Sequence, residues 1–192
     1  MPEVKLITYT PSPMNILKLA ASQCYQKEAT DSVIRHIVEA GHLSILEHCT
    51  ATFRLTCSLS VLLQLTRHRH LSFTVQSSRG SHMTGLHSTG IPQIDRLNKS
   101  TLSYYESYLR EGMPKEEAAY ALPKAIRYRL LVTGNFRAWF EYLPKRLCSR
   151  ALPEHGTLAK DIHKELKALC PEVFAHVTPH CDTCKETRCT FA

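Results

Sequence analysis

Residues 49–57 alternate without a break: Ala51, Phe53 and Leu55 fall on one side, and Thr50, Thr52, Arg54 and Thr56 on the other. A period of two belongs to a strand with one buried and one wetted face. Such a strand needs partners in a sheet and a second layer over its apolar side. Further β-rich runs at 4–10, 71–77 and 127–133 supply the partners, and Pro11 and Pro13 stop the first of them. Helical spacing supplies the cover. Ile16, Leu17, Leu19, Ala20 and Cys24 form a stripe over 15–26, and helices are expected near 31–41 (capped by Asp31 or Ser32), 60–67, 100–112, 114–121, 135–147 and 157–170. Pro144 is expected to bend or end the helix that contains it. The result is an α+β fold, a single mixed domain over 1–192 with a small sheet flanked by helices. Gly80, Gly85, Gly90 and Pro92 make 80–98 a flexible loop, and 171–192 is a tail rich in cysteine and histidine.

A 43% hydrophobic content is enough for a core and argues against global disorder. No apolar run approaches the ~20 residues of a membrane span. The start, Met1-Pro2-Glu3-Val4-Lys5, lacks the apolar stretch of a secretory signal, so the eight cysteines point to a reducing cytoplasm and free thiols. The net charge of +7 favours anionic partners, either nucleic acid or small phosphorylated molecules, unless it is only a solvated basic surface.

The segment from Gln64 to Arg79 decides among these. It holds Arg67, His68, Arg69, His70, Ser77, Ser78 and Arg79, and its stretch from Arg67 to Arg79 has no Asp or Glu. Guanidinium forks match phosphate oxygens two at a time, hydroxyls complete such a cradle, and imidazoles stack on rings. An anionic ligand carrying a ring system, such as a nucleotide, suits this chemistry. An internal ion-pair network would need its acids from elsewhere in the fold. Ser77 lacks a neighbouring base and sits among cations, so it suits phosphate binding better than nucleophilic attack.

Arg67-His68-Arg69 followed by seven residues and Ser77 resembles the signature of the flavin-dependent thymidylate synthases. Ala20 to Tyr25, Gly41 to His48, and Asn135 to Arg146 resemble other blocks of that family, in the same order. The resemblance implies reductive methylation of dUMP or UMP at C5 in an FAD enzyme, with NADPH and methylenetetrahydrofolate as co-substrates. It implies that His42, Ser44, Glu47, Arg67, His68, Arg69, Asn135, Arg137 and Glu141 hold FAD. Gln64, Val75, Gln76, Ser77, Arg79 and Arg146 would bind the pyrimidine nucleotide, with Arg146 as the catalytic residue along the base. It also implies a homotetramer with shared sites, and neither nucleic acid nor membrane as a partner.

Several positions depart from the family pattern. Thr74, Val75 and Gln76 replace Asn-Glu-Tyr, Gly80 replaces a tyrosine, and Ala119 takes the place of an arginine. Leu152, Pro153, His155 and Gly156 replace the Gln, Trp, Ile and Arg of a late block. Two of these losses remove charged groups at the nucleotide end, and the missing acid at Val75 relaxes contact with the sugar, which is compatible with UMP. A degenerate flavoprotein without methylase activity is the alternative. A nucleic-acid module, suggested by Arg67, Arg69, Tyr104, Tyr105, Arg127 and Arg129, is a third reading. Cys181, Cys184 and Cys189, with His176, His180 and Cys170 nearby, have zinc-ligand character, but the second half of a site is missing at proper spacing, and no metal is assigned.

Overall fold

The computed structural model describes residues 2–184 and residue 189. Four strands form one antiparallel sheet in the order β1-β2-β4-β3: β1 (Glu3–Tyr9), β2 (Thr50–Ser58), β3 (Ser72–Val75) and β4 (Arg127–Asn135). The alternating segment is β2, and it lies inside the sheet between β1 and β4. Its register with β4 runs unbroken from Thr50 opposite Asn135 to Ser58 opposite Arg127. Among the described residues eight α-helices complete the fold: α1 (Pro13–Tyr25), α2 (Asp31–Glu39), α3 (Leu59–Leu65), α4 (Pro92–Arg110), α5 (Lys115–Ala118), α6 (Phe136–Leu147), α7 (Pro153–Leu169) and α8 (Pro171–Phe174). Short 3-10 helices cover Leu43–His48, Ala119–Ala121 and His180–Thr183.

The apolar side of β2 is covered as its pattern requires. Ala51, Phe53, Leu55 and Cys57 are fully buried, together with Val132 of β4, Trp139, Tyr142 and Leu143 of α6, and Leu158 and Ile162 of α7. Trp139 meets Phe53 edge to face at 5.1 Å and donates its indole N–H to the Ala51 carbonyl at 3.1 Å. An edge-to-face pair of this kind adds about 0.5–1.5 kcal/mol to the area it buries. Gly134 of β4 makes this approach possible. A Cβ there would strike Leu71 and come within 3.1 Å of the Trp139 indole nitrogen.

Several expectations need correction. The cap of α2 is Thr30, whose hydroxyl accepts from Val33 N at 3.4 Å, rather than Asp31 or Ser32. The loop expected at 80–98 ends early, because α4 begins at Pro92. Proline suits the first helical position, where no N–H is needed. Asp95 then accepts from Ser88 Oγ, Thr89 N and Thr89 Oγ1 at 2.6, 2.8 and 2.8 Å, fastening the preceding turn to the helix. The rest of the segment is also anchored: Met83 is fully buried, its N–H donates to Tyr105 Oη at 3.1 Å, and Leu86 pairs with Ile126. Pro144 does not end α6, which continues to Leu147 with Leu143 and Pro144 both buried. Helix α7 starts at Pro153 rather than 157, again with proline in its first turn. The helix expected over 114–121 is short, giving way at Ala119 to a 3-10 turn.

Cys24, Cys49, Cys57, Cys148, Cys170 and Cys184 are free thiols. Cys170 belongs to the core, where its thiol contacts Met14 Sδ at 3.5 Å and burial pushes its pKa to about 12. Among the described residues no cluster of three or more His, Cys, Asp or Glu is arranged to hold a metal. Residues 185–188 and 190–192 of the tail lie outside the described residues. No described helix is long and apolar enough to cross a membrane.

Candidate functional site

The arginine- and histidine-rich segment forms the connection between α3 and β3. Two hydrogen bonds curl it into consecutive turns, His68 N to Leu65 O and Leu71 N to His68 O, both at 3.0 Å. Arg67 and Arg69 project outward and are exposed, and neither has an ion-pair partner among the described residues. His68 turns inward and is half-buried, while His70 is exposed. The segment therefore divides its side chains between two places.

The first is a pocket of about 310 Å³ lined by Glu47, His70, Asn135, Arg137, Ala138 and Glu141. Asn135 caps α6: its Oδ1 accepts from Ala138 N at 2.8 Å, as expected of a polar residue before a helix, and leaves the amide NH2 for a ligand. Arg137 donates from Nε to Glu141 at 2.9 Å and from Nη1 to Glu47 at 2.6 Å. These carboxylates raise its pKa further and fix the guanidinium in one orientation. Glu47, Asn135, Arg137 and Glu141 are thus brought together. His42 and Ser44 are exposed and not part of this lining. His70, which the sequence placed in the basic cluster without assigning it to the cofactor, is also a member.

The second place is a half-buried polar network beneath the segment. Arg146, near the end of α6, donates from Nε to His68 Nε2 at 3.0 Å and from Nη2 to the Gln64 carbonyl at 3.3 Å. The contact requires an unprotonated His68 Nε2. Burial, reinforced by the Arg146 and Lys145 charges, pulls the His68 pKa from 6.5 to about 4. His68 packs edge to face on Tyr142 at 4.9 Å. His155 of α7 lies below, fully buried, with Nδ1 3.2 Å from Gln64 Oε1. Burial first, then the Arg146 charge, lowers its pKa to about 3.

The remaining expected residues have other duties. Val75 is half-buried against the core, opposite Leu130. Gln76 donates from Nε2 to Ser81 Oγ at 3.1 Å and accepts from Arg129 N at 3.2 Å, so its amide ties the end of β3 to its surroundings. Ser77 Oγ accepts from Arg79 N and Gly80 N, both at 3.2 Å, closing a turn and keeping only its own proton to give. Arg79 is engaged by Glu116, at 2.9 Å from Nε and 2.7 Å from Nη2, on the lip of a cavity of about 560 Å³ that includes Ala119 and Tyr120. Sequence reasoning missed His155 and Tyr142. The signal for His155 was present: it lies three and seven residues before Leu158 and Ile162, on the same helical face, although the expected helix started too late to include it.

The thymidylate synthase complementing protein family (Thy1) matches residues 5–172. The chain belongs to this family, the flavin-dependent thymidylate synthases. The flavin-dependent thymidylate synthase of Sulfurisphaera tokodaii is 31% identical, an alignment covering 93% of this chain and 78% of the relative. That of Clostridium tetani is 28% identical, covering 93% and 88%. The crystal structure of ThyX from Helicobacter pylori with FAD and dUMP shares the fold, with a TM-score of 0.81 at 23% identity, over 91% of this chain and 97% of that one. This fold match places the chain in the α+β architecture read from its sequence.

Proposed function

We propose that the protein is a methyltransferase that reductively methylates a uridine 5′-monophosphate at C5. Its relatives are named flavin-dependent thymidylate synthases, and the Helicobacter pylori ThyX structure contains FAD and dUMP. The observation that carries the reading is the pocket built on Arg137 and Asn135, which His70 lines from the same segment as the exposed Arg67 and Arg69, two guanidiniums with no ion-pair partner among the described residues. Their chemistry fits FAD: two free forks for a diphosphate, an oriented amide, and the imidazole of His70 for a ring. Bound FAD, reduced by NADPH, would supply the hydride that turns the one-carbon unit of methylenetetrahydrofolate into a methyl group.

The residues of this chain carry the rest. Arg146 is held from two sides by His68 and Gln64, and its unused N–H groups are the donors for a carbonyl oxygen of the pyrimidine. A preorganised donor at a developing enolate contributes roughly 3 kcal/mol. Gln64 offers its side-chain amide to the nucleotide, and Ser77 its hydroxyl proton. The sugar end has no carboxylate at Val75, so UMP is accepted beside dUMP. A pocket of about 310 Å³ lies at the small end of ligand cavities (~300–1,000 Å³), too small to enclose a dinucleotide alone. Helix α4 buries only Tyr105 and exposes Ile94, Leu97 and Tyr104 at spacings of three and seven. Both points favour a homotetramer whose subunits share sites.

One observation favours a second reading, an FAD- and nucleotide-binding flavoprotein without methylase activity. Glu116 already neutralises Arg79, and Ala119 brings no charge to that lip. Anaerobic incubation of the reduced protein with methylenetetrahydrofolate and either dUMP or UMP, followed by mass spectrometry, separates the two. A nucleotide heavier by one methyl group supports the methylase. Flavin binding without that product supports the second reading.

A further inference from the structure

We infer that His155 is a positioning residue that decides which end of the Gln64 amide faces the nucleotide. This rests on the proposed role of Gln64 in nucleotide binding. His155 is fully buried and cannot touch a ligand itself. It reaches the site only through Gln64, whose Oε1 lies 3.2 Å from its Nδ1. That distance alone allows two arrangements. Either the ring donates to the amide oxygen, or the amide, turned over, donates to the ring.

Two orphan atoms choose between them. Tyr142 Oη and His155 Nε2 are buried side-chain polar atoms with no hydrogen-bond partner among the described residues. They sit on neighbouring rings, with centroids 5.9 Å apart and planes inclined by 43°. Burial raises the Tyr142 pKa well above its ordinary value, so the phenol keeps its proton and is a donor in search of an acceptor. The two atoms make no hydrogen bond with each other, so an Nε2–H would be a buried donor with nothing to accept it, whereas an Nδ1–H has Gln64 Oε1 within reach at 3.2 Å. Nε2 is therefore bare, and the single ring proton of a neutral imidazole sits on Nδ1. Nδ1–H then donates to Gln64 Oε1, and the amide NH2 turns toward the half-buried side where the nucleotide binds. A nucleotide offers mainly acceptors there: phosphate, sugar and carbonyl oxygens. The Gln64 main-chain carbonyl also holds Arg146, so one residue fixes both donors.

The test measures dUMP and UMP binding by calorimetry in the flavin-loaded protein, in His155→Ile and His155→Asn, with melting temperature and flavin content as controls. Isoleucine fills the buried space without a hydrogen bond, so the fold is retained, the Gln64 amide turns freely, and affinity falls by about five- to tenfold. Asparagine carries an N–H where the ring has Nδ1–H, and restores most of the affinity. A purely structural role would make melting temperature, and not affinity, track the substitution. Equal affinity in His155→Ile and the parent protein overturns the inference, as does an asparagine variant no better than isoleucine. Should His155→Ile fail to fold, Gln64→Glu decides: it keeps an acceptor for His155 but removes the NH2, so binding is lost at unchanged melting temperature. Retained binding there also overturns the inference. A parent protein that binds neither nucleotide defeats the proposed function itself, and this inference with it.

Discussion

Acid is expected to unfold this protein through two histidines before it reaches the carboxylates. His68 and His155 have folded-state pKa values near 4 and 3, against 6.5 for the free side chain, chiefly because burial disfavours the charged ring. Below pH 6.5 the unfolded chain takes up protons that the folded chain refuses. The stabilising effect is complete above about pH 6.5 and drains as the pH falls toward the folded values. Each refused proton contributes about 1.4 kcal/mol per pH unit, so the two together give a limiting slope of about 2.7 kcal/mol per unit. His68 is only half-buried, and solvent reduces its share. A few units of this slope rival a whole domain's stability of about 5–15 kcal/mol. Asp95, by contrast, is held down near pH 2 by hydrogen bonds from Ser88 and Thr89 and loses its effect only below its ordinary value of 3.8. The interval from about pH 6.5 to about pH 4.5 therefore isolates the histidines. Urea midpoints across that interval, converted to free energy, test the idea. The parent protein is expected to lose stability steadily, and His155→Ile about half as steeply. A flat profile in the parent protein, or identical slopes in the two, refutes the reasoning.

Three further outcomes follow from particular contacts. Gly134→Ala forces Leu71 and Trp139 apart and is expected to destabilise the fold by about 1–3 kcal/mol, read from the urea midpoint. Glu154 accepts from Ser58 N at 2.7 Å and Ser58 Oγ at 2.5 Å in a buried setting, so Glu154→Leu leaves that N–H unpaired, a loss of about 1–3 kcal/mol read from thermal unfolding. Arg146→Lys loses the fork that spans His68 and Gln64, and kcat for nucleotide methylation is expected to drop by roughly 10²–10³ while the flavin stays bound.

The part of the fold governed by local pattern was legible in the sequence. The alternation of residues 49–57 marks the buried strand β2, and the block from Asn135 marks α6, with Asn135 itself as the cap rather than the first helical residue. The crowding of arginines at 67–69 without nearby acid left pairing to residues elsewhere in the fold, and among the described residues Arg67 and Arg69 have no ion-pair partner. What stayed hidden depends on residues far apart in the chain. Gln76 looked free until β3 paired with β4 and brought it against Arg129. Arg79 looked like a phosphate ligand until α5 placed Glu116 beside it. The start of α4 was obscured because glycine and proline were read as loop formers throughout 80–98, although Pro92 and Asp95 are also residues that open a helix. Pro144 was expected to bend or end its helix, and it does not end it: a proline buried beside Leu143 is tolerated when tertiary packing retains the turn that its missing N–H weakens. His155 lies on the buried face of α7, but with the helix expected to start at 157 it fell outside it, and its partner Gln64 lies far away in the chain.

The claim on which all else depends is that Arg67, Arg69 and the Arg137 pocket hold a flavin. The most direct measurement is the visible spectrum of the purified protein after incubation with FAD and removal of free flavin by gel filtration. A yellow protein carrying stoichiometric FAD, with the colour lost in a combined Arg67→Ala and Arg69→Ala variant that still folds, is the predicted result. A folded protein that stays colourless, or a variant that binds FAD as well as its parent, contradicts it.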